Sequence, residues 1–122
     1  MRFGKVALAM GALAALAPTA VARSGKSVLQ GVGNRSSHPI WVTLYAKSGR
    51  GDKFGYGCLL PGQGRNWSRT LNVGDSTAYW VLAEVKSRND CGGGNLSVFE
   101  AGPVSASRDL RDVPGQAGRV AW

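Results

Sequence analysis

Beyond its first two dozen residues, the chain is interrupted by glycine or proline every 8 to 15 residues. No window longer than ten sets apolar residues at i, i+3, i+4 and i+7 without a breaker between them. An amphipathic helix needs that unbroken period, so helix signals are scarce and short extended segments with tight turns dominate. Ile40 to Ala46 alternates cleanly, with Ile40, Val42, Leu44 and Ala46 on one face and Trp41, Thr43 and Tyr45 on the other. β-Branched and aromatic residues at period two predict a strand whose aliphatic face meets the core. Ala78 to Val85 repeats the arrangement, with Tyr79, Val81, Ala83 and Val85 opposite Trp80, Leu82 and Glu84. Large residues on both faces predict a central strand.

Further short strands are expected at Gly55 to Leu60, Arg65 to Leu71, Asn95 to Glu100 and Gly118 to Trp122, with another at Ser27 to Gly33. Turns at Pro61-Gly62-Gln63-Gly64 and Asn72-Val73-Gly74-Asp75 separate them, because proline presets φ and glycine supplies positive φ. Six or seven strands with such turns make an all-β antiparallel sandwich or small barrel. Ser105 to Asp112 is the one segment read as a short helix.

The first 22 residues stand apart. Met1 to Lys5 is a short basic segment, Val6 to Ala17 an uncharged Ala/Leu-rich run, and Ala20-Val21-Ala22 a small-x-small site. That order is a cleaved export signal, and Pro18 and Arg23 close the apolar run before the roughly 20 residues a membrane span requires. Cleavage after Ala22 leaves a single domain over 23–122, with no transmembrane segment, in the periplasm or outside the cell. Cys58 and Cys91 are the only two cysteines, and in an oxidising compartment they are expected to form a disulfide. The mature side-chain charge is +6, unevenly placed: Arg23 to Arg69 balances to +7 and Thr70 to Trp122 to −1. Arg35, Lys47, Arg50, Lys53, Arg65 and Arg69 fall in or beside candidate turns. Gathered at one end of a sandwich, they would steer an anionic partner.

Few residues have the makings of chemistry. One histidine, His38, and a disulfide-bound cysteine pair leave no material for a Cys/His metal site or a nucleophile relay, so no metal, cofactor or catalytic residue is expected. Gly25-Lys26-Ser27 lacks the earlier glycine of a phosphate-cradling loop. Arg50-Gly51-Asp52 sits in a hairpin tip. Asn34-Arg35-Ser36, Asn66-Trp67-Ser68 and Asn95-Leu96-Ser97 fit the N-glycosylation pattern, and read as polar turns in a host that does not glycosylate. Glu84, mid-strand beside Trp80, is the carboxylate that a small hydrolase would use with a second acid. Trp41, Tyr45, Trp67 and Trp80 are the aromatic residues able to contact a ligand. The run Asn34 to Tyr45 is similar, over its dozen residues, to the opening strand of several secreted β-sandwich proteins that bind membranes or glycans, and implies that sandwich class alone.

The expectation is an exported, non-enzymatic binding module, of inhibitor, immunity or envelope-associated type. Its basic end would meet an acidic protein or an anionic envelope component, lipid or glycan. A membrane-active or antimicrobial effector is the alternative, and a small hydrolase the second. Nucleic acid is not an expected partner, since no recognition motif is present.

Overall fold

The structure is a computed structural model that describes residues 25–122. The export signal expected over 1–22, and Arg23, lie outside the described residues. Eight strands follow in order: β1 (Lys26–Asn34), β2 (Ile40–Lys47), β3 (Gly51–Leu59), β4 (Gly64–Leu71), β5 (Tyr79–Val85), β6 (Ser97–Val104), β7 (Arg108–Asp112) and β8 (Val120–Ala121). They form two four-stranded sheets, ordered β4-β1-β7-β8 and β3-β2-β5-β6, which pack as a sandwich. Each expected strand is present to within a few residues.

The helix expected over Ser105 to Asp112 is absent, and that segment contains β7. Two helical turns are too few to be stable alone. In the extended form Leu110 is fully buried, its carbonyl accepts a hydrogen bond from Arg35 N at 2.7 Å, and the strand pairs in parallel with β1 through Val32 with Arg108 and Asn34 with Leu110. Tertiary pairing therefore decided the local conformation.

Contacts divide the described chain into two units. One comprises Thr70–Ser76 with the segment up to Ser27, the other Val28–Arg69 with Thr77–Trp122. The first contains the Asn72–Asp75 turn, in which Asp75 N donates to Asn72 O at 3.0 Å and Asn72 N donates to the Asp75 carboxylate at 2.8 Å. The second contains the core: Val32, Ile40, Val42, Leu44, Leu59, Tyr79, Val81, Ala83, Val85, Val104, Leu110 and Val120. The aliphatic faces expected of β2 and β5 are both turned inward, apart from the half-buried Ala46. β5 lies between β2 and β6, as large side chains on both its faces require.

A polar hub joins the sheets. Asn34, fully buried at the end of β1, donates from Nδ2 to the carbonyls of His38 and Leu59, each at 2.8 Å. Its Oδ1 accepts from Ser36 N at 2.9 Å and from Ser36 Oγ at 2.6 Å. Its main chain also pairs with the β3–β4 turn, through Gln63 O and Gly62 N. A buried amide with every partner in place fixes one arrangement of the chain. Asn34 is thus a structural group, and the glycosylation pattern at this position is closed by burial.

The expected disulfide joins Cys58 of β3 to Cys91, with Cα atoms 5.8 Å apart. The loop carrying Cys91 is held by Lys86 Nζ, which donates to Gly93 O at 3.0 Å, and by Asp90, which accepts from Gly92 N and from Arg88. Those two bonds, the backbone one first, hold the Asp90 carboxyl below the usual carboxylate range. A disulfide is compatible with an oxidising, exported environment.

Candidate binding face

Directly paired residues of an antiparallel sheet share a face, so the register of β3-β2-β5-β6 defines its outer surface. One row contains Cys58, Trp41, Glu84 and Val98; the next contains Tyr56, Thr43, Leu82 and Glu100; the third contains Lys53, Tyr45 and Trp80. Four of these side chains are aromatic. Trp41 and Tyr56 are stacked, with ring centroids 5.8 Å apart and planes inclined at 28°, and Lys53 Nζ lies 5.1 Å from the centre of the Tyr56 ring. At the other side Trp80 leans over β6, where a side chain on Gly102 would overlap its indole.

Arg50 reaches across the face from the β2–β3 hairpin to β6. Its Nε donates to Glu100 Oε2 at 2.9 Å and its Nη2 to Oε1 at 3.2 Å, a two-pronged ion pair. The hydrogen bond to Glu100, ahead of simple attraction, raises the Arg50 pKa and lowers that of Glu100. These side chains roof the middle of the face: Leu82 is 5% exposed and Thr43 7%. A solvated sheet face is usually polar and open. Here Tyr56 and Val98 remain among the most exposed large hydrophobic residues, and Leu96 lies just before β6.

The six basic residues do not form one patch. Arg35 is 3.9 Å from Asp109, on the other sheet. Lys47 pairs with Asp52 at 3.1 Å in the hairpin. With Arg50 turned to Glu100 and Asp52 to Lys47, the Arg-Gly-Asp tripeptide does not present its two charges together. Arg65 and Arg69 point between the sheets from β4: Arg65 stacks over Trp67 at 5.4 Å, while Arg69 lies over Phe54 at 5.3 Å and donates to Gln30 Oε1 and Ala78 O. Lys53 has no carboxylate within ion-pair distance among the described residues.

The aromatic residues divide as well. Trp41, Tyr45 and Trp80 share the outer face, whereas Trp67 packs against the core, in space left by Gly55, whose absent Cβ would stand 2.5 Å from the indole. Tyr56 was not singled out from sequence. Its signal was there: Gly55 and Gly57 leave it the only large side chain in that stretch, so a partner for Trp41 across the strand pair was readable.

Other places offer less. Ser37, His38 and Asp112 line an open cleft of about 450 Å³ with residues of the β7–β8 loop. Ser37 Oγ is 3.2 Å from His38 Nδ1 and Asp112 is 3.9 Å from that same nitrogen. A nucleophile relay needs its serine and its acid on opposite ring nitrogens, so this cluster is not one. Among the described residues no group of three or more His, Cys, Asp or Glu is placed to hold a metal ion. Comparison with protein-family models, with curated proteins and with solved structures gave no match.

Proposed function

We propose that this protein is an exported, non-enzymatic binding module whose contact surface is the outer face of β3-β2-β5-β6, and that its partner is an anionic envelope component. The observation that carries the reading is the aromatic face itself: Trp41, Tyr45, Tyr56 and Trp80 on one sheet surface around a roofed centre. The excess of basic residues in the first half of the chain supplies long-range attraction, and the face supplies the contact. The export signal read from residues 1–22 and the disulfide support the compartment.

A hydrolase finds little support on this face. Glu84 and Glu100 occupy diagonal positions, but Glu100 is held ionised by Arg50 and so is poorly suited to donate a proton. The exposure of Tyr56 beside Lys53 favours one second reading, docking on anionic lipid.

The test compares the wild-type protein with a Trp41→Ala/Tyr56→Ala/Trp80→Ala variant on an envelope extract at low salt. Capture of an anionic component by the wild type, lost in the variant at unchanged melting temperature, is the expected result. Equal capture by both refutes the aromatic face as the contact. Dye release from anionic vesicles at micromolar protein would instead establish the membrane-active reading.

A further inference from the structure

We infer that the Trp41–Tyr56 end of the outer face is a saccharide subsite for an acidic polysaccharide: a pyranose ring packs on the two aromatic rings while Lys53 meets its acidic substituent and Glu84 takes its hydroxyl groups. This rests on the binding-face reading above and names the ligand's chemistry.

Three features found together require both an apolar plane and directional polar groups. The Trp41–Tyr56 stack is a broad, half-exposed aromatic surface, the kind of surface on which the C–H face of a sugar ring packs. A lipid chain would need only that surface. A directional polar group stands beside it: Glu84 pairs directly with Trp41 across β2–β5, and among the described residues its carboxylate accepts no hydrogen bond and makes no ion pair within 4 Å, being engaged only by longer-range attraction to Arg50.

Lys53 supplies the one contact of this subsite that calls for an acidic group. Lys47, Arg50 and Arg35 each have a carboxylate partner, whereas the Lys53 ammonium stands over the Tyr56 ring with none. A cation beside an aromatic surface and a free carboxylate suits a ring carrying both an acidic group and hydroxyl groups. A bare polyanion would offer no hydroxyl groups to Glu84, and a neutral glycan no acidic group to Lys53.

The test is binding of the purified, disulfide-intact protein to alginate, a polyuronate of pyranose rings, with hydroxyethyl cellulose, dextran sulfate and anionic phospholipid vesicles as comparisons. The expected result is retention by alginate that exceeds retention by hydroxyethyl cellulose. Trp41→Ala and Tyr56→Ala each weaken it by at least about tenfold, the scale of an aromatic anchor's truncation, and Lys53→Gln weakens it less. Melting temperatures report that the variants fold, and Trp41→Phe, which keeps a ring, retains binding. Alginate binding unchanged in both alanine variants, or no alginate binding, overturns the inference. If vesicles alone are bound, and the alanine variants lose them, the saccharide subsite fails while the binding face stands; if no anionic probe is held through this face, both fail.

Discussion

Truncating Asn34 tests whether the two sheets are joined by a polar hub rather than by apolar packing alone. The carboxamide makes four hydrogen bonds at 2.6 to 2.9 Å, and the residue is 0% exposed, so water cannot replace them in the native state. At about 1 kcal/mol net for each bond, Asn34→Ala costs about 4 kcal/mol. That is a large share of the roughly 5–15 kcal/mol that holds a domain folded, and it corresponds to a fall in melting temperature of about 15–30 °C for a domain near 100 residues. Urea unfolding followed by tryptophan fluorescence gives the free energy directly. Asn34→Leu separates the causes, because it refills the volume without restoring a donor or an acceptor. A loss below about 1 kcal/mol for Ala, or recovery of wild-type stability by Leu, would refute the hub, since packing and not hydrogen bonding would then carry the position.

Three further outcomes are expected. Cys58→Ala/Cys91→Ala opens a loop whose ends are 33 residues apart, and chain entropy sets the loss at about 3–4 kcal/mol, read as a lower urea midpoint with little change in the native near-ultraviolet spectrum. Gly55→Ala places a Cβ 2.5 Å from the body of the Trp67 indole and costs about 1–3 kcal/mol; a thermal melt matching wild type would show that β4 moves freely. Glu100 and Asp90 are held below their unfolded values, so their contribution is complete above about pH 5 and is lost as pH falls through their folded values. Melting temperature should therefore drop on acidification, and Glu100→Gln should flatten part of that drop.

The sandwich was legible because its evidence is local. Alternation at Ile40 to Ala46 and Ala78 to Val85 fixed which faces meet the core, and the cysteine count fixed the bridge. What sequence could not supply is pairing between distant segments. β7 looked helical because its stabilising partner, β1, stands at the far end of the chain, and Arg50 looked like a free hairpin cation because Glu100 is two strands away. The aromatic half of the candidate face was visible in the alternation of β2 and β5. The basic half was not, since Arg65 and Arg69 fall on the inward side of β4, and whether that edge strand is covered depends on the other sheet. Inward-pointing charges of this sort also discourage a second copy from adding to the edge.

The parallel seam between β1 and β7 sets an order of events as the chain folds. β2 and β3 are joined by a short hairpin and can pair early, as local contacts form fastest. β1 stands first in the chain, yet one of its two flanks must wait until Arg108 to Leu110 are in place. Until then the folding chain exposes one unsatisfied strand border, and a truncation ahead of β7 should leave it permanently exposed and prone to self-association.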